Sequence, residues 1–389
     1  MLRKVLILLL VLIVGSAVFV ISQEDSFNLE TVRQLTKIVD DVREKYQIPG
    51  AVVGVWQGKK SWVYAAGISD IKTKSQMQPE YKFRIASNTK TFTSTLVLQL
   101  ADEKKLSLDD KLAKFFPQVP NSRKITIRQL LNHTSGIFDF AEDENFKKMY
   151  LGDPLRKWTP QEEIDIALIH DPDFAPGKKW KYSNSNYALL GMIVEKVTGS
   201  KLEDEVEKRI IKPLKLSQTS FPVTPEMTGG YSHGYMAPEE AAAIEATVAT
   251  EATLTPAVPE EDLVDITLVN PSIPWAGGGI VSNVYDLKKW IEAAARGELL
   301  SRAMRKERFR WIPTGTKDLE FGLGIMKLQD FIGHNGKILG YASFMLYSPG
   351  KNTTIVLFIN KCNEDEKTEP MLDIIKEIKE VLFPVGQKS

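Results

Sequence analysis

"RIASNTKTFTSTLVLQL", residues 84–100, begins as a β-compatible run and turns at Ser87 into a helical pattern. Phe92, Leu96, Leu98 and Leu100 recur at spacings that predict a helix buried over much of its surface. Ser87 and Lys90 stand in its first turn, and side chains at i and i+3 lie on one helix face. Two readings compete. Serine is a favoured N-cap residue, and the lysine could be an ordinary solvated neighbour. Alternatively, a lysine tucked under apolar chain loses solvation, its pKa falls, and it becomes a usable base for a serine nucleophile. The helix N-terminus adds positive potential where an oxyanion develops.

The four-residue spacing alone decides nothing, because it occurs twice more. Ser69-Asp70-Ile71-Lys72 lies in the polar link "SDIKTKSQMQPE" (69–80), where no helix holds the lysine against the serine. Ser348-Pro349-Gly350-Lys351 is turn chemistry between "ASFMLY" (342–347) and "TTIVLFIN" (353–360), two strand-like runs. Both read as structural. Only the copy at Ser87 has an apolar helix behind it.

Outward from that helix, the 389 residues predict one large or two closely joined domains. With 50 basic and 50 acidic residues the net charge is zero, which gives no electrostatic case for a nucleic-acid partner. Cys362 is the single cysteine, so an internal disulfide and a cysteine-based metal cluster are excluded. His133, His170, His233 and His334 form no close ligand pair, and no metal site is expected. At the N-terminus, Arg3 and Lys4 precede an apolar run from Val5 to Ile21, broken only by Gly15 and Ser16. Residues 1–22 therefore read as a secretory signal or an uncleaved membrane anchor, and the protein as extracytoplasmic. If uncleaved, that segment would also be a membrane contact. Oligomeric state has no signature in the sequence.

Asn28–Tyr46 carries Leu29, Val32, Leu35, Val39 and Val42 at helical spacing. Residues 51–56 and 61–66 form a predicted hairpin around Gln57-Gly58-Lys59-Lys60. "ITIRQLLNHTSGI" (125–137) closes a helix, and "YALLGMIVEKVTG" (187–199) is a helix ended by Gly199. From Leu216 to Leu287 there is no Lys or Arg; within it, residues 237–262 read as an acidic, solvated low-complexity insertion. Strands are expected at Phe321–Met326, Gly333–Gly336, Tyr341–Tyr347 and Thr353–Ile359, then a helix over Pro370–Leu382. The fold class is α/β (α+β), mainly an antiparallel sheet flanked by helices, with a helical lobe. The α/β lobe takes residues 23–85 and 275–389, and the helical lobe takes 86–274. A cleft between them would suit a substrate.

Two further segments complete a serine acyl-transfer constellation. "KYSNSNYALLG" holds Tyr182-Ser183-Asn184, and "GHNGKILGYASFM" holds His334-Asn335-Gly336 at a strand start. A tyrosine can relay a proton if a nearby cation keeps its phenol acidic. An asparagine amide can hold an acyl group, and a glycine-rich edge strand can offer backbone N–H groups to an oxyanion.

Together with "IPGAVVGV", "ITIRQLLNHTSGI" and "AGGGIVSNVYDL", in this order from about Ile48 to Ile359, these motifs resemble the serine β-lactamase-like hydrolases. That family spans class C β-lactamases, penicillin-binding D-alanyl-D-alanine carboxypeptidases, and related esterases and D-aminopeptidases. The resemblance implies the β-lactamase/penicillin-binding-protein fold and a small-molecule or peptide substrate, with no cofactor. It implies that Ser87 is acylated, that Lys90 accepts its proton or lowers the pKa of Tyr182, and that Tyr182 serves the leaving group. Asn184 would bind the acyl side, His334, Asn335 and Gly336 the substrate edge, and the N–H groups of Ser87 and Lys337 the oxyanion. The β-lactamases usually carry lysine, then a hydroxyl residue and glycine, where this chain has His334-Asn335-Gly336. Histidine there is charged only at mildly acid pH. A peptidase or esterase is thus expected ahead of a class C-like β-lactamase, with a penicillin-binding receptor of little turnover as the non-enzymatic alternative.

Overall fold

The runs "GAVVGVWQ" (50–57) and "TTIVLFI" (353–359) have too few polar residues to leave a strand face in water. The computed structural model describes residues 10–14, 17–21, 26–237, 263–362 and 370–384. In it, Val53, Val55, Ile355 and Leu357 enter one hydrophobic core, while Val52, Val356 and Phe358 enter a second. This is the period-two alternation of a sheet covered on both sides.

From the N-terminal part of the chain come β1 Leu10–Val14, β2 Ala17–Ile21, β3 Gly50–Gln57 and β4 Lys60–Asp70. The C-terminal part gives β5 Ile312–Pro313, β6 Leu319–Phe321, β7 Met326–Leu328, β8 Phe331–Ile338, β9 Tyr341–Ser348 and β10 Thr353–Ile359. They pair antiparallel in the order β1-β2-β4-β3-β10-β9-β8-β7-β6-β5, with Ser75–Gln76 added beside β4. Strands from the two ends of the chain meet at β3 and β10, where Val53 lies opposite Leu357.

Six helices frame the site: α1 Leu29–Lys45, α2 Thr89–Asp102, α3 Pro160–Leu168, α4 Asn184–Thr198, α5 Val284–Arg296 and α6 Pro370–Leu382. Helices α1 and α6 cover one sheet face through Leu35, Val39, Ile374 and Ile378. The other face carries α5, and Trp290 of α5 stacks on Phe92 of α2 with ring centroids 4.0 Å apart. That contact seats α2 beneath the sheet. Every residue of α2 from Thr89 to Leu98 is buried. Its hydroxyls are satisfied internally: Thr95 Oγ1 donates to Thr91 O at 2.7 Å, and Thr93 Oγ1 to Ala276 O at 2.7 Å.

Several expectations need correction. Phe321–Met326 is not one strand; β6 ends at Phe321 and β7 begins at Met326. Between them Gly324, at φ +72°, comes so close to α2 that a Cβ there would lie 2.2 Å from Ser94 Cβ. The helix within 125–137 is only Ile127–Leu131, opened by a Thr126/Gln129 capping box. Within the apolar N-terminal run, residues 10–14 and 17–21 are antiparallel strands, with Val18 opposite Ala65 of β4, and no helix among the described residues is long and apolar enough to cross a membrane. The acidic insertion lies outside the described residues beyond Ala237.

Candidate active site

Ser87 does not open α2 directly. It occupies a single 3₁₀ turn, Ala86–Asn88, and α2 begins at Thr89. The preceding Ala86 is held at φ +48°, the left-handed region that an alanine adopts only when its surroundings enforce it. Those surroundings converge on one carbonyl. Ile85 O accepts from Asn88 N at 3.2 Å, Asn88 Nδ2 at 3.1 Å and Ser343 Oγ at 2.9 Å. Asn88 Nδ2 also reaches Ser343 Oγ at 2.7 Å, which ties the turn to β9. Ile85 N donates to Ile280 O at 3.0 Å, and Ile280 N to Thr89 Oγ1 at 3.1 Å, so the "AGGGI" segment braces the other side.

Lys90 points back along this turn, with its side chain fully buried. Its Nζ lies 3.1 Å from Ser87 Oγ, 2.8 Å from Asn184 Oδ1 and 2.9 Å from Gly277 O. Burial lowers its pKa from 10.5 to about 7, against the opposing pull of the Asp139 and Glu163 carboxyls. A neutral amine has two N–H donors and one lone pair. Asn184 Oδ1 and Gly277 O are acceptors with nothing to give, so they take the two N–H bonds and leave the lone pair for the Ser87 hydroxyl proton. The Asn184 amide is fixed in this sense because its Nδ2 donates to Asp139 Oδ2 at 3.0 Å. A Cβ at Gly277 would sit 3.1 Å from Lys90 Nζ, so a side chain there would press on the amine.

Tyr182 approaches from the other side, its hydroxyl donating to Ser87 Oγ at 2.9 Å. Its ring stacks on His133, with centroids 4.4 Å apart, and Lys90 Nζ lies 4.9 Å from its centroid. Burial drives the phenol pKa well above its usual value. The expected acidic tyrosine is therefore a neutral donor in the free protein. His133 is itself buried at φ +60°, and its Nδ1 accepts from Ser183 N at 3.2 Å. Burial holds its pKa well below the ordinary value, so a neutral ring backs Tyr182.

The third motif divides. Asn335, Gly336 and Lys337 line the cavity of about 440 Å³ that opens beside Ser87, Tyr182 and Asn184. His334 is not among its lining residues. It is 2% exposed and faces the rings of Tyr182 at 6.5 Å and Phe321 at 5.8 Å. Burial lowers its pKa to about 3, so the charge expected at mildly acid pH does not develop. Gly336 allows β8 to meet the serine turn, because a Cβ at this position would lie 2.3 Å from Ile85 O. Gly336→Ala is expected to cost about 1–3 kcal/mol, read as a Tm fall of a few degrees in a thermal melt. An unchanged Tm would mean that β8 has freedom to move away from the turn.

Sequence reasoning missed Asn88, Ser343, Asp139, His133 and the Gly277 carbonyl. "AGGGIVSNVYDL" was a legible segment, but a backbone acceptor has no residue-type signature.

The Beta-lactamase family model matches residues 35–378. Penicillin-binding protein 4* of Bacillus subtilis (strain 168) is 25% identical over 370 residues, 90% of this chain and 76% of that protein. Protein flp of Staphylococcus aureus (strain N315) is 27% identical over 349 residues; the match takes in 86% of this chain but spans only 64% of flp. Among solved structures, a D-stereospecific amidohydrolase from Streptomyces sp. superimposes with a TM-score of 0.73 at 31% identity, covering 92% of this chain and 98% of that one. The D-amino acid amidase from Ochrobactrum anthropi SV3, complexed with L-phenylalanine amide, gives a TM-score of 0.75 at 26% identity over 90% and 99% of the two chains. By family match and by fold, the chain belongs to the Beta-lactamase family of serine hydrolases.

Proposed function

We propose that the protein hydrolyses amide or ester bonds through an acyl-enzyme on Ser87, with D-amino-acid amides and peptides as the favoured substrate class. The observation that carries this reading is the position of Ser87 Oγ between a buried amine at 3.1 Å and a neutral phenol at 2.9 Å, beside a cavity. Lys90, with a pKa near 7, takes the Ser87 proton as Oγ attacks the carbonyl. The resulting oxyanion receives the N–H groups of Ser87 and Lys337. Tyr182 then gives its phenol proton to the leaving nitrogen or oxygen, the proton taken up by Lys90 replaces it, and water reverses the sequence in deacylation. Tyr182 cannot begin as the base, because burial keeps its proton on. Asn184 orients Lys90 and borders the acyl group. The basic and apolar N-terminus supports work outside the cytoplasm.

The names of the amidohydrolase and amidase neighbours support a D-amino-acid substrate. The neutral, buried His334 removes the cation that a β-lactam carboxylate would meet at this position, which argues against a strong β-lactamase. A panel of D- and L-phenylalaninamide, D-alanyl-D-alanine peptides, p-nitrophenyl esters, nitrocefin and fluorescent penicillin tests the reading. Turnover of D-configured amides above their L counterparts is expected. Faster turnover of nitrocefin than of any amide or ester would make it a β-lactamase, and penicillin labelling with no turnover a receptor.

A further inference from the structure

The cavity beside Ser87 holds a polar group that the proton relay does not use. Glu163 of α3 is 1% exposed yet lines the cavity, and its Oε1 has no hydrogen-bond partner among the described residues. The local sequence explains how a glutamate came to face inward. Thr159 and Glu162 close a capping box at the helix start, which commits Glu162 to the exposed side. The next residue, Glu163, then turns in with Ile164 and Ala167.

A carboxylate buried without partners costs several kcal/mol, so the group resides there as the neutral acid. Burial raises its pKa well above the usual carboxylate range, Asp139 and Glu162 push in the same direction, and Lys90 opposes them. Around it the cavity wall is largely apolar, with Phe140, Phe146, Tyr150, Ile273 and Pro274. Asp139 does not share its position. Its Oδ2 accepts from Asn184 and its Oδ1 from Ala141 N at 3.2 Å, and it is absent from the lining. Glu163 is the one carboxyl lining the cavity, and its Oε1 has no partner among the described residues. An anionic acyl group would meet the Glu163 carboxyl there, and an apolar one would leave Oε1 without a partner. A primary ammonium brings both donors and the charge that makes the ionised carboxyl favourable.

We propose that Glu163 is a specificity-determining residue that selects a primary ammonium on the acyl portion of the substrate. The proposal rests on the cavity being the acyl site of the reading above. The ammonium enters charged, Glu163 releases its proton to solvent, and an ion pair forms in the cavity, so one proton leaves for each ligand bound. That ammonium could stand on the carbon next to the scissile carbonyl or at the end of a basic side chain.

Calorimetric titration with phenethylamine and its isostere phenethyl alcohol tests the proposal without any turnover, so the result does not depend on acylation of Ser87. At pH 7 the wild type should bind the amine at least tenfold more tightly than the alcohol. About one proton should be released per amine and none per alcohol, measured in buffers of different ionisation enthalpy. Both differences should vanish in Glu163→Gln. Equal wild-type affinities, or discrimination that survives in Glu163→Gln, would overturn the proposal. Three chromogenic amides then locate the ammonium: D-phenylalanine p-nitroanilide, Nα-acetyl-D-lysine p-nitroanilide, and neutral N-acetyl-D-phenylalanine p-nitroanilide. A loss of kcat/KM in Glu163→Gln at least tenfold larger for either charged amide than for the neutral one marks its place. Equal losses for all three would make Glu163 a structural residue and end the proposal.

Discussion

Ser87→Ala should give a folded protein that forms no acyl-enzyme, with kcat lower by roughly 10⁴- to 10⁶-fold. The fold is expected to survive because the hydroxyl is half-buried at the edge of the cavity and Lys90 keeps two of its acceptors, Asn184 Oδ1 and Gly277 O. Tyr182 loses its acceptor but opens onto the cavity, where water can replace it. The two measurements are steady-state turnover of the best substrate and intact-mass detection of the covalent adduct. Turnover within tenfold of wild type would show that another group is acylated and would remove the mechanism.

Lys90→Met comes next in size, with a fall in kcat of roughly 10²- to 10⁴-fold, the range of a lost general base. Its diagnostic feature is the pH profile. In the wild type only the neutral amine can take the Ser87 proton, so kcat/KM should rise with pH through about 7. The variant should lose that limb. Stability gives an independent reading of the same group. Between about 7 and 10.5 the unfolded chain holds a proton on Lys90 that the folded one does not, so stability rises with pH across this window. The difference in unfolding free energy between wild type and Lys90→Met should change by up to about 1.4 kcal/mol per pH unit there. Asp139 and Glu163 are present in both proteins, and because Lys90 lowers the pKa of each, the difference reports the lysine together with its pull on those carboxyls. A flat difference would mean that Lys90 stays charged when buried.

The proposed nucleophile, Ser87, and its proposed base, Lys90, were legible because their relation is local. Two side chains three residues apart, followed by an apolar helix, can be judged from a single window. Tyr182 and Asn184 were legible as residue types in sequence order, although the reason they reach Ser87 belongs to α4 packing beside α2. His334 shows where such reading stops. Its strand was expected and found, but whether a ring on β8 faces the substrate or the interior depends on Phe321 and Tyr182, which sequence cannot bring together. The groups that restrain the serine turn were out of reach for the same reason: Asn88 meets Ser343, and Lys90 meets a carbonyl at Gly277, only after folding. Glu163 was invisible because its Oε1 meets no partner among the described residues, and an unfilled position has no residue-type signature.

The pairing of β3 with β10 sets a timetable for the protein's birth. Partners in that ladder are separated by roughly 300 residues of chain, and such long-range pairing is slow to form. While the ribosome is still making the middle of the chain, the β3–β4 hairpin carries a bare apolar edge that invites aggregation. The serine turn is in the same condition, because the Ser343 hydroxyl that braces Ile85 is among the last groups synthesised. An incomplete chain thus owns the proposed nucleophile but cannot aim it. The chemistry is withheld until Ser343 has been made and β9 has joined the sheet.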